Sequence, residues 1–415
     1  MRILYILRDF PVIYSQVFVL NEIIELTKRG HEIIILSEMG NRERMHGEVL
    51  KKNLLKKSIY IIYPKFSRGR NKLIYCLKLF FINSFIRPTS NIDNLKFAIK
   101  KYPYLWEILD DYVNITSLNE NIDKLKNLNL DLIHIPFPES TIRSAKISLP
   151  NKLNLPFTAT YRTDFYTSDK EHIIKRLKYI KKPKRIITIS EYNRKHLKRI
   201  LGIKDVEVIH SAIDTNKFRP INTIKKRKIF LVSRFIEKKG IEYLIKVCKL
   251  LNDEKVKVEC IIAGEGPLKE VYERLIIKYK LSNKVIIKDS LTQEEIKKEL
   301  EDSMVFVLPC IIASDGNRDG LPNVLKEAMA MEIPVITSDI CGIEELIEDG
   351  KSGILVPPKN PEAIAKVIKK LFSDSSLRKK IGKEARKKII KDFNIKKEAE
   401  KLEKIFYQAI KNESK

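Results

Sequence analysis

Acidic residues are scarce in this chain, with 53 Asp and Glu against 80 Lys and Arg, a formal net charge of +27. Such an imbalance favours something anionic as a partner: nucleic acid, a phosphate-bearing ligand or an acidic membrane surface. The competing reading is that lysine is simply the default surface residue here, because it is spread along the whole length together with an excess of isoleucine. No helix-turn-helix, zinc or RNA-binding signature accompanies the charge, which argues against nucleic acid. Cysteine is limited to five residues, at 76, 248, 260, 310 and 341, without C-x-x-C or Cys/His metal spacing, so they read as buried thiols of a reducing compartment. No D-x-D pair occurs, so the usual motif for gripping a diphosphate through a metal is missing. No apolar run approaches the roughly 18 residues that a membrane-spanning helix needs. Residues 1–7 (MRILYIL) are followed by a polar stretch with no small-residue cleavage site and read as a first strand rather than a secretion signal. The expectation is a cytoplasmic protein, at most peripheral on the inner face of the cell membrane.

What is present is alternation. At 415 residues the chain exceeds one ordinary core and suits two domains. Short Ile- and Val-rich runs alternate with longer amphipathic stretches, the pattern of parallel βαβ units and doubly wound sheets. Strands are expected at 2–7, 32–37, 130–137, 157–161, 185–190 and 206–213, with basic helices inserted over 50–127. A polar, proline-containing stretch at 214–227 reads as a linker. A second series follows from Lys228, and an amphipathic helix at 395–410 ends it. The expected domains are thus 1–213 and 228–394, with 395–415 a terminal helix that returns to the first domain. Two such sheets in tandem turn their C-terminal edges to a shared cleft, where ligands of open α/β sheets bind.

The densest chemical signal is Ser314–Ala330, SDGNRDGLPNVLKEAMA, between a strand and a helix. Gly320 allows an unusual backbone turn, Pro322 suits a helix start, and the free N–H groups of Leu321, Asn323 and Val324 would face an anion. Glu327, one turn further in, suits a hydroxyl-bearing ligand such as ribose. In LVSRFIEKKG (231–240) a strand ends on Arg234, and Lys239 precedes a helix, so two cations stand at the sheet's carboxyl edge where they can neutralise a diphosphate. In AGEGP (263–267) the G-x-G-x-x-G spacing of dinucleotide binders is absent; Gly264 and Gly266 are either room for a ligand close to the backbone or a plain tight turn.

Together with IHSAID (209–214) and GIEELIEDGKSGILVPP (342–358), these motifs resemble glycosyltransferase family 4, retaining enzymes of the GT-B fold. The resemblance implies an α/β chain of two Rossmann-like, doubly wound domains facing a central cleft. It further implies a nucleotide-diphosphate sugar as co-substrate, no cofactor and no metal, and a glycan or lipid-linked acceptor. By it, Arg234 and Lys239 hold the donor diphosphate, Glu327 binds the ribose, and the Gly320–Asn323 backbone meets sugar and phosphate. Asp319 takes the place of the first of the family's two glutamates and is one methylene shorter. The N-terminal stretch DFPVIYSQVF is similar to the branch that builds extracellular polysaccharides, through Phe10, Pro11, Ser15, Phe18 and Glu22; ordinary strand-to-helix packing explains these residues equally well. Where many relatives carry a histidine three places before an aspartate, this chain reads YRTD, with Tyr161 in the histidine's place, Arg162 as a new phosphate or acceptor contact, and Asp164 retained. His134 is a further cleft candidate. The rival readings are a sugar-nucleotide epimerase on the same architecture and, far behind, a basic nucleic-acid-binding protein.

Overall fold

The computed structural model describes residues 1–10, 17–39, 47–60, 121–138, 149–162, 183–221 and 226–411, with scattered positions between 76 and 119. Its first sheet has seven strands: β1 (Arg2–Phe10), β2 (Glu32–Met39), β3 (Ser58–Tyr60), β4 (Leu132–Ile135), β5 (Phe157–Tyr161), β6 (Arg185–Thr188) and β7 (Glu207–Val208), in the order β3-β2-β1-β4-β5-β6-β7. The second has six: β8 (Lys226–Val232), β9 (Glu259–Ala263), β10 (Val285–Lys288), β11 (Ser303–Leu308), β12 (Val335–Ser338) and β13 (Ile354–Val356), in the order β10-β9-β8-β11-β12-β13. All pairings between them are parallel. Parallel sheets carry helices on both faces, which is why the inner strands read as unbroken apolar runs: Ile229 to Val232 are all buried.

Strand order reverses beside β1 in one sheet and beside β8 in the other, and a crevice opens at such points. The chain leaves β8 directly into Ser233 and Arg234, and leaves β9 into Gly264. The site is therefore assembled from strand ends.

The boundary between the domains differs from the sequence expectation. β8 begins at Lys226, inside the 214–227 stretch, and Phe218 is buried in the second core alongside Ile213. The apolar side chains at the start of this stretch hold it against the sheet, which its polar average hides. The last helix, Ile395–Lys411, packs Leu402, Ile405, Phe406 and Ala409 into the first domain's core. Helices that escape the periodicity reading include Gln293–Asp302, Ser375–Asp392 and, in the first domain, Glu191–Leu201. The first carries a capping box between Thr292 and Glu295, a signal legible in TQEE.

Candidate active site

A cleft of about 440 Å³ opens between the domains. Val17, Phe18 and Asn21, on the helix Val17–Lys28, form its first-domain side. The second domain contributes Arg234, Lys239, Gly264, Gly266 and Glu327, with Pro322 and Asn323 beside them. Seven of the residues singled out from sequence thus converge on one wall.

At Gly264 the backbone sits at φ +140° and an added Cβ would overlap the Ser233 carbonyl oxygen; at Gly266 it would lie 2.5 Å from the Phe235 oxygen. Both glycines are therefore required by close backbone packing as well as lining the cleft, so the turn serves both purposes left open above. Gly320 is different. Its φ lies outside the left-handed range and a Cβ would meet only Asn193 Oδ1, at 4.0 Å. The expected unusual turn is absent; the missing side chain leaves space instead.

The helix Asn323–Ala330 begins after Pro322, which occupies the capping position and supplies no side-chain cap. Its first N–H groups have no partner within the helix, as at every helix start, and Pro322, Asn323 and Val324 at that positive end line the cleft. Glu327 lies on this helix, 7% exposed, and its Oε2 has no hydrogen-bond partner. Burial pushes its carboxyl up to about 8, against the weaker opposing pull of Lys217 and Lys326. An unpartnered buried acceptor is costly unless something else supplies a donor.

That cost has a measurable sign. The folded-state value near 8 lies above the ordinary 4.5, so the proton stabilises the fold most below pH 4.5 and its benefit is lost as pH rises to about 8. Glu327→Gln should therefore leave the ligand-free Tm unchanged below pH 4.5, raise it progressively up to about pH 8, and raise it by a constant amount above. A Tm difference independent of pH in scanning fluorimetry would count against a buried, unpaired carboxyl.

Lys239 pairs with Asp319 Oδ2 in a short contact, and Lys238 Nζ reaches Oδ1 of the same carboxylate at 3.1 Å. Burial works to raise the Asp319 pKa, but the two ammonium groups outweigh it and hold it down at about 2. Burial, and more weakly the nearby Arg234, work to lower the Lys239 pKa, but the charge and hydrogen bond of Asp319 together with Cys310 outweigh them and raise it. Asp319 is thus held by both lysines behind the cleft wall and does not line the cavity. Arg234 is exposed on the rim.

Three first-domain candidates are not cleft residues. His134 is fully buried, with Nδ1 2.8 Å from Thr158 Oγ1 and its ring against Tyr5 and Phe406. Burial first, and Arg162 second, lower its pKa to about 3, so it is a neutral core histidine. Tyr161 is buried with Ala159, Leu197 and Val206. Arg162 donates to Ser211 Oγ at 2.7 Å, pairs with Glu22 Oε2 at 3.3 Å, and lies 4.5 Å over the Phe18 ring. Its guanidinium is used inside the protein rather than offered to phosphate, and Phe18 and Glu22 of the N-terminal motif are the groups that hold it. Ser15 and Asp164 lie outside the described residues.

Sequence reasoning missed other parts of the lining: Ile213, Ser290, Leu291, Gln293 and Ile296. The capping box at 292–295 could have placed the last four at a strand's carboxyl edge. Lys326, buried behind Asn323, carried no signal beyond its place between two motif residues.

Two Rossmann-like sheets turned toward one cleft define the GT-B class, and solved structures of that class agree with it. A glycosyltransferase from Rickettsia africae superposes at a TM-score of 0.67 and 20% identity, covering 99% of both chains. Anabaena HepE, solved in complex with UDP, gives 0.70 at 13% identity, covering 98% of this chain and 100% of that one. The glycosyltransferase family 4 model matches residues 15–217, and the glycosyl transferases group 1 model matches residues 214–388. The chain belongs to glycosyltransferase family 4.

Among sequence relatives, the amylovoran biosynthesis glycosyltransferase AmsK of Erwinia amylovora is 35% identical over 167 residues, 40% of this chain and 41% of that one. WcaL of Escherichia coli (strain K12), provisionally named a colanic acid biosynthesis glycosyltransferase, is 34% identical over 193 residues, 46% and 48%. The chain therefore spans less than half the length of either relative.

Proposed function

We propose that the protein moves a sugar from a nucleotide-diphosphate donor to a glycan or lipid-linked acceptor in the assembly of a surface polysaccharide or glycolipid. The anomeric configuration is retained and no metal is used. The observation that carries this reading is the single cleft wall formed by Arg234, Lys239, the Gly264–Gly266 turn, the open helix start at Asn323 and the unpartnered Glu327. The cations and the helix start suit a diphosphate, and Glu327 suits the hydroxyls of a ribose. The chain's part in catalysis is positioning and electrostatics: Arg234 and Lys239 stabilise the negative charge that gathers on the diphosphate as the bond to the sugar breaks. The polysaccharide assignment draws on the printed names of AmsK and WcaL.

Thermal-shift measurements against UDP, GDP, ADP and dTDP sugars test the donor site, since a ligand that binds only the native state raises apparent stability. At least one family of nucleotides should shift Tm. Nucleoside diphosphate should then be released faster when a sugar acceptor is added, and EDTA should not alter the rate. Release that ignores every acceptor would favour the epimerase reading.

No helix among the described residues is long and apolar enough to cross a membrane. The basic stretches 72–87 and 175–185 are proposed to meet an anionic bilayer on the cytoplasmic side; of the first, positions 76–81 and 84 are described, with Leu77 and Phe81 49% and 63% exposed, and 175–182 of the second lie outside the described residues. Such a surface gains roughly 1 kcal/mol per basic residue near acidic lipid. Co-sedimentation should rise with the phosphatidylserine content of vesicles and fall with salt; indifference to both would remove the membrane contact.

A further inference from the structure

Behind the cleft, its two walls are joined by a buried chain of polar groups that sugar transfer as outlined does not use. In the first domain, Glu22 accepts from the Tyr5 hydroxyl at 2.8 Å and pairs with Arg162. Arg162 donates to Ser211 Oγ, and the Ser211 carbonyl accepts from Lys326 Nζ at 2.6 Å. The same ammonium donates to Asn323 Oδ1 at 3.0 Å and lies 5.2 Å from the Phe393 ring centroid. Lys326 is fully buried. An ammonium held by two neutral oxygens and a ring is an expensive way to fill space on a helix, and a methionine of similar length would fill it at less cost.

We infer that Lys326 is a positioning residue: it fixes the Asn323 amide with its oxygen turned inward and its Nδ2 donors toward the cleft, and ties that helix start to Ser211 at the domain junction. The inference rests on the cleft being a sugar-nucleotide site, and the oxygens Asn323 would serve are those of the donor's phosphates or sugar. Asn323 lines the cleft and Lys326 does not, so the lysine acts through the asparagine. The charged groups that bear on it are Arg162, Glu398 and Glu327; burial, with Arg162 adding to it, pulls its pKa down to about 7. Either form of the amine retains enough hydrogens for both acceptors.

Calorimetry with whichever of UDP, GDP, ADP and dTDP the wild type binds tests this, using Lys326→Met, Asn323→Ala and the double variant. Each single change should weaken nucleotide binding about tenfold, and the double should be no weaker than the weaker single, because residues acting as one unit are not additive. Donor KM should follow the binding constant while turnover at saturating donor stays within about twofold, as for lost uniform binding. Wild-type affinity in Lys326→Met, or a double variant whose loss is the product of the singles, would overturn the inference. Asn323→Asp keeps an acceptor for Lys326 but removes both donors, so it should bind at least tenfold more weakly with Tm not lowered; undiminished binding there would overturn the inference even if Lys326→Met fails to fold. A wild type that binds none of the four nucleotides removes the donor reading itself, and this inference with it.

Discussion

Lys239→Ala is expected to lower turnover by at least about a hundredfold, and Arg234→Ala by about a hundredfold, with donor affinity falling much less. Both side chains line the cleft, and a departing diphosphate carries more negative charge in the transition state than in the bound donor, so fixed cations lower the barrier more than they tighten ground-state binding. The two variants should not be equal. Lys239 also neutralises Asp319, so its loss leaves that carboxylate with Lys238 as its remaining ammonium partner and adds a negative charge close to the diphosphate. Adding Asp319→Asn to Lys239→Ala should therefore recover part of the lost rate. Steady-state kinetics at saturating donor decides this: full activity in either single variant would remove the proposed role, and no recovery in the double would remove the account of Asp319.

Gly264→Ala should destabilise the second domain and abolish donor binding. The glycine follows β9 at φ +140°, where L-residues are strained, and the new Cβ would occupy the position of the Ser233 carbonyl at the end of the neighbouring β8. Backbone strain of about 1–3 kcal/mol and overpacking of a similar size act together. A loss of about 3 kcal/mol corresponds to a fall of roughly 6–12 °C in a domain of this size. Since the displaced backbone is itself part of the cleft wall, with Ser233, Gly264, Glu265 and Gly266 all lining it, binding should be lost along with stability. Gly320→Ala is the control: a Cβ there meets nothing closer than 4.0 Å, so Tm should hold. An unchanged Tm for Gly264→Ala in scanning calorimetry would contradict the packing described.

The contrast between these glycines marks what the sequence could and could not reveal. Strands such as Lys226–Val232 are legible because a parallel sheet buries both faces and leaves an unbroken apolar run, here Ile229 to Val232. The helix Ser375–Asp392 is not, because its surface is mostly lysine and arginine and its apolar stripe is narrow: Ile381, Ala385 and Ile389 are buried with Gly382. In the site, Arg234, Lys239 and Glu327 are readable because each sits at a fixed offset from a strand end or helix start. Arg162 and His134 mislead for the same reason. They too follow or end strands, yet their partners come from distant segments, Glu22 and Ser211 for one and Thr158 and Phe406 for the other, which no local spacing reveals.

This cleft is proposed to transfer a sugar from a nucleotide diphosphate with retained configuration and with protein cations in place of a metal. Proton NMR of the first-formed glycoside, made in the presence of EDTA from whichever sugar nucleotide the protein binds, tests it most directly. The anomeric coupling constant should match that of the donor, at the same rate as without chelator; an inverted anomer, or transfer that stops on chelation, would contradict it.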